Sequence, residues 1–172
     1  TIILDMNGET LSIGFSDSSK NLIVNNGTLT ITGDGTFDAT EATSYKGFIN
    51  NYGTLTVENG TFQIADKAMT VHLRNQDGGK AVINGGTFSG GATIVRSFEG
   101  SNTTITGGSF TNSVYPAVDV NGETLITGGI FTNTSCSRCD SHNWGYTVRS
   151  GVDNDPDAKL TITPSSEGSV VV

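Results

Sequence analysis

The sequence repeats itself at a spacing too long for a helical turn and too short for a domain, and that spacing constrains the fold more than any other feature. An aliphatic residue, a Gly-rich turn and a Phe recur as TITGDGTF (30–37), TVENGTF (56–62), VINGGTF (82–88), TITGGSF (104–110) and LITGGIF (125–131). A partial sixth copy, LTITPSSEGSV, occupies 160–170. The anchors Ile31, Val57, Ile83, Ile105, Ile126 and Ile162 are separated by 26, 26, 22, 21 and 36 residues. A period of 21–26 residues fits one coil of a parallel β-solenoid, whose short strands bury their apolar sides only by stacking on the next coil.

Side chains alternate between the two faces of a strand. Leu29, Ile31 and Phe37 are therefore expected inside and Thr30 and Thr32 outside. Phe37, Phe62, Phe88, Phe110 and Phe131 should then stack as an interior aromatic ladder. The glycine pairs before them suit corners that need positive φ.

A second strand precedes each anchor: LIVNN (22–26), GFINN (47–51), VHLRN (71–75), TIVRS (93–97), VDVNG (118–122) and YTVRS (146–150). Its expected inward column is Val24, Ile49, Leu73, Val95, Val120 and Val148. The expected outward neighbours are Asn25, Asn50, Arg74, Arg96, Asn121 and Arg149, preceded by outward Ile23, Phe48, His72, Ile94, Asp119 and Thr147. TIILDMNGETLSI reads as an earlier coil. An inserted loop at about 133–144 and an irregular loop at about 151–158 interrupt the last repeats of a single domain, 1–172.

The composition agrees with this organisation. Hydrophobic residues make up 34% of the chain, against roughly 45–50% in ordinary globular proteins by a count that includes Gly, while 23 glycines disfavour helical bundles. A net charge of −8 argues against nonspecific nucleic-acid binding and against attraction to an anionic membrane. No apolar run approaches the roughly 20 residues that span a bilayer, so no membrane insertion is expected.

The units GTLTITGDGTF, GTLTVENGTF and NTTITGGSF, each with a strand ending in NN or NG upstream, resemble the right-handed parallel β-helix repeats of the pectate-lyase-like group. They are especially similar to the Thr/Gly-rich segments of large bacterial cell-surface and secreted proteins. The resemblance covers nearly all of residues 1–170. It implies an all-β, right-handed parallel β-helix of about seven coils, an uncapped fragment of an extracellular protein. It is specific for fold, because related β-helices include polysaccharide lyases and hydrolases, phage tailspikes and noncatalytic adhesins.

Glycoside hydrolysis needs two carboxylates at a matched separation, and the lyases resembled here use Arg or Lys beside a calcium-binding acidic cluster. No such acidic set assembles from the sequence around His72 and Arg74, so catalysis is not expected. Arg74 and Arg96 should lie one coil apart, about 4.8 Å, with His72 alongside. Such a pair suits a carboxylate or sulfate on a glycan, because the Arg fork matches those groups. The competing expectation is that Glu99 or Asp119 neutralises the arginines.

Tyr52, Phe98 and Trp144, with Tyr45 and Tyr115, are candidate aromatic platforms for sugar rings, or covers for the coils and the insertion. Outward Thr pairs are too often interrupted, by Glu58 and Leu125 among others, for an ice-binding array. No cofactor is expected, although Asp153, Asp155 and Asp157 in DNDPD offer a weak calcium site against the simpler reading of an acidic turn. Cys136 and Cys139 are read as a thiol pair, stapled or free, ahead of metal or redox roles.

The function expected from these features is noncatalytic: an extracellular surface or adhesin-type domain that presents loops to a polysaccharide, a host glycan or a host surface protein. The alternatives are a fragment of a polysaccharide-degrading enzyme or tailspike, and a structural spacer that self-associates through open coil ends.

Overall fold

The computed structural model describes residues 1–12, 17–41, 45–65, 70–112, 115–133, 148–150, 158–163 and 170–171. The Cys136/Cys139 pair, Trp144 and the acidic turn of Asp153, Asp155 and Asp157 lie outside the described residues. Among the described residues all regular structure is β, arranged as three parallel sheets that the chain visits in strict rotation.

The anchor strands form the first sheet of seven, from Ile2–Asp5 through Thr28–Thr32, Thr54–Val57, Lys80–Ile83, Asn102–Ile105 and Glu123–Ile126 to Lys159–Ile162. The Phe strands form a second sheet of seven, from Thr10–Ser12 to Val170–Val171. The upstream strands form a third sheet of six: Asp17–Asn25, Tyr45–Asn51, Val71–Asn75, Thr93–Ser97, Val118–Val120 and Val148–Ser150. Each strand pairs with its counterpart one coil away, which is the stacking that defines a parallel β-solenoid.

Register turns the repeat into a core. Ile31, Val57, Ile83, Ile105, Ile126 and Ile162 form one continuous row across the first sheet. Phe37, Phe62, Phe88, Phe110 and Phe131 form another across the second. Their rings are near-parallel, with successive centroids 4.8, 4.6, 5.1 and 4.7 Å apart. All five are buried. Stacked pairs of this kind add about 0.5–1.5 kcal/mol each beyond the area they remove from water.

The glycine pairs at the corners serve two separate needs, as Gly107 and Gly108 illustrate. A Cβ on Gly107 would lie 2.5 Å from the Asn84 carbonyl oxygen of the preceding coil, so that residue is small for lack of space. Gly108 has φ +103°, a conformation that L side chains rarely adopt. Positive φ therefore explains only the second member of the pair.

The third sheet departs from simple alternation. Phe48 and Ile49, His72 and Leu73, and Ile94 and Val95 are consecutive buried residues. At the last pair the amides of Ile94 and Val95 both donate to the Ala117 carbonyl, each at 3.0 Å, so that two residues oppose one as in a β-bulge. The expected columns shift accordingly. Ile23, not Val24, pairs with Ile49, and Val24 faces solvent at 52% exposure. Val118, not Val120, pairs with Val95, which puts Asp119 beside Arg96. Phe48, His72 and Ile94 were expected outside, and all three are in the interior.

Asn25 was also expected outside and is buried, because it begins an interior amide column. Asn25 Nδ2 donates to Asn51 Oδ1 at 2.7 Å, and Asn51 Nδ2 donates to Asn75 Oδ1 at 2.8 Å. Asn75 Nδ2 then reaches Thr103 Oγ1 at 2.9 Å and the Asn102 carbonyl at 2.8 Å. These amides satisfy backbone carbonyls at the corner that water cannot reach. Asn75→Ala should therefore lower the unfolding free energy by about 1–3 kcal/mol, since it strands buried polar partners. Urea unfolding with an unchanged m-value would check this.

Candidate functional site

Two adjacent outward columns build one face. The first runs along the third sheet as Val24, Asn50, Arg74, Arg96 and Asp119, each in register with the next, although Asn50 and Asp119 are themselves buried. The second lies at the corner just after it, where the backbone N–H groups of Tyr52, Gln76, Phe98 and Asn121 donate to the carbonyls of Asn25, Asn51, Asn75 and Ser97 at 2.8–2.9 Å. Tyr52 and Phe98 thus stand two coils apart, roughly 10 Å, with Gln76 between them.

The columns interlock through side chains. The guanidinium carbons of Arg74 and Arg96 lie 4.9 and 5.1 Å from the centroid of the Phe98 ring. Cation–π attraction from one ring thus holds two like charges near each other. Arg96 Nε is 3.5 Å from Asp119 Oδ2, an ion pair in which the carboxylate side chain is 6% exposed. Arg74 is different. Its half-buried side chain has no acidic partner among the described residues, while its Nε, like that of Arg96, is buried without a hydrogen bond.

Desolvation, followed by the repulsion of Arg96, lowers the proton affinity of Arg74, and the nearby Tyr52 opposes this. Arginine stays charged through shifts of this kind, so the environment leaves Arg74 as a cation in want of a counter-charge. Local packing explains its posture. A Cβ on Gly47, one coil back, would come within 2.9 Å of Arg74 Cδ, so the bare glycine makes room for the arginine stem.

A polar chain closes the other side, where Gln76 Nε2 donates to Asn50 Oδ1 at 2.6 Å and Asn50 Nδ2 donates to the Tyr52 hydroxyl at 3.2 Å. Beside Phe98 lies a depression of about 630 Å³ lined by Gln76, Asp77, Phe98, Glu99 and Gly100. Its lining combines an aromatic ring with the carboxylates of Asp77 and Glu99.

Four of the six residues expected from sequence, Tyr52, Arg74, Arg96 and Phe98, meet on this face. His72 does not. It is 1% exposed, stacks on Phe48 at 5.8 Å and meets the edge of Phe88 at 5.9 Å. Its Nε2 contacts the Gly90 carbonyl at 3.2 Å, and a carbonyl accepts only from the N–H tautomer. Nδ1 is then left without a partner. Burial, partly opposed by the Gly90 and Ser89 carbonyls, pushes the imidazole down to about 4. Trp144 lies outside the described residues, as does the side chain of Tyr45, and Tyr115 is half-buried.

Of the two expected neutralising acids, Asp119 pairs with Arg96, while Glu99 lines the depression. Sequence reasoning missed Asn50 and Gln76 as links between the columns, and Gly47 as the space for Arg74. Among the described residues, no group of three or more His, Cys, Asp or Glu side chains is placed to hold a metal ion. The chain matches no family model, no curated protein and no solved structure.

Proposed function

We propose that this solenoid is a noncatalytic binding domain of an extracellular bacterial protein, of the right-handed pectate-lyase-like kind, and that the Tyr52–Phe98 face binds a glycan. The observation that carries the proposal is the pairing of Phe98 with two arginines beside an open depression with carboxylates in its lining. An exposed aromatic face suits the apolar side of a sugar ring, while Gln76, Asp77 and Glu99 suit its hydroxyls. The side chains gathered here are donors, acceptors and ring faces, which favours recognition over bond cleavage. The Thr/Gly-rich coil motif supports the assignment to surface and secreted proteins.

A glycan array tests the proposal. The intact domain should retain a defined set of glycans, and Phe98→Ala and Tyr52→Ala should each weaken binding about tenfold, or about 1.4 kcal/mol. Failure of the intact domain to bind any glycan would leave a structural spacer as the better account.

A further inference from the structure

We infer that the ligand of this face is an acidic glycan whose negative charges are sparse, one carboxylate-bearing sugar set between neutral ones, with the carboxylate held by Arg74. The inference rests on the glycan-binding reading and adds the charge pattern of the ligand. It follows from how charge is distributed over the two columns.

Arg96 is committed to Asp119 at 3.5 Å, so its charge is already matched. Arg74 carries no such match among the described residues, and it is fixed from three sides. Gly47 leaves room beneath its stem, the Phe98 ring lies against its guanidinium, and its Nε is closed off from solvent. A half-buried cation held in place without a matching carboxylate can meet an oxyanion through the part of it that solvent still reaches, since no further side-chain ordering is needed to bind one.

The surroundings limit how many anions can be accepted. Asp77 and Glu99 line the depression next to Phe98, and Asp119 follows Arg96 in the column. An anionic group placed over these carboxylates would be repelled, whereas a sugar hydroxyl would donate to them. The chain as a whole carries −8, so long-range repulsion also works against a dense polyanion. One anionic group at Arg74, flanked by neutral hydroxyl-bearing rings on Phe98 and toward Tyr52, satisfies every group on the face.

Titration calorimetry with the intact domain tests this using three tetrasaccharides. One alternates glucuronate with a neutral N-acetylhexosamine, the second is its carboxyl-reduced form, and the third is a fully sulfated heparin fragment. The alternating acid should bind about tenfold more tightly than its reduced form, and the heparin fragment should bind no more tightly than the alternating acid. Arg74→Gln should erase the preference, bringing the affinity for the acid down to that for the reduced form. Equal affinities of the acid and reduced forms for the wild type would overturn the inference and leave the glycan-binding reading standing. Tighter binding of the heparin fragment would overturn the sparse-charge pattern. Absence of binding to all three would overturn both.

Discussion

Phe88→Ala should lower the unfolding free energy by about 3–5 kcal/mol, the range for emptying a large buried aromatic site. Phe88 stands in the middle of the aromatic ladder, stacked on Phe62 at 4.6 Å and Phe110 at 5.1 Å, with the His72 ring edge-on at 5.9 Å. The rings on either side belong to other coils, so the cavity cannot close without moving two coils toward each other, which the strand hydrogen bonds forbid. The effect should also be larger than that of truncating Phe131, whose neighbouring row continues only through the short pairing of Gly129 and Ile130 with Val170 and Val171. Chemical denaturation of the two variants beside the wild type measures the difference. Equal losses would mean that ring stacking contributes little beyond area.

The second large effect is on pH dependence. The folded state holds the His72 imidazole at about 4, below its ordinary 6.5, because burial disfavours the charged ring. The unfolded chain therefore binds a proton between these values that the folded chain refuses. Stability from this residue is fully present above pH 6.5 and is lost as the pH falls toward 4. A shift of this size corresponds to about 3 kcal/mol across the window. Asp38, which accepts hydrogen bonds from the Thr40 side chain and backbone, is held below its usual value of 3.8 and so contributes below this window. Urea midpoints at pH 7 and pH 4.5 should differ markedly for the wild type, and much less for His72→Phe, which keeps a ring between Phe48 and Phe88 and removes the titrating group. Equal pH slopes for the two proteins would refute the assignment.

The same residues show where the sequence was legible and where it was not. The anchor and Phe rows were readable because each coil repeats one identical pattern of alternating faces, and register follows once the period is known. The third sheet was harder. Phe48-Ile49 and Ile94-Val95 are adjacent apolar residues, both members of each pair are buried, and alternation cannot represent that; at Ile94-Val95 two residues also oppose one. His72 shares that position and was therefore placed on the wrong side of the wall. The LIVNN and VDVNG segments slipped by one and two residues for a related reason, since Ile23 and Val24, or Val118 and Val120, satisfy an apolar column equally well.

The arginines were legible because they stand at a fixed offset from the corner Asn or Ser of their own coil, Arg74 before Asn75 and Arg96 before Ser97, whereas Tyr52 and Phe98 stood out only as aromatics in or near the loops. Gly47 could not be recognised as the partner of Arg74, because a single glycine in a strand carries no record of which long side chain crosses it.

The interior column of asparagines has a direction as well as a position. Strand carbonyls point alternately up and down the axis of a solenoid, so their dipoles largely cancel. The amides of Asn25, Asn51 and Asn75 all donate toward the later coil. Their orientation is set at the start of the column, where Asn25 Oδ1 accepts from the Gly27 N–H at 3.1 Å. Three aligned amides polarise one another and form a short electric needle along the corner. Its positive tip is delivered to the coil of Ser97 and Thr103, the coil that also carries Arg96 and Phe98.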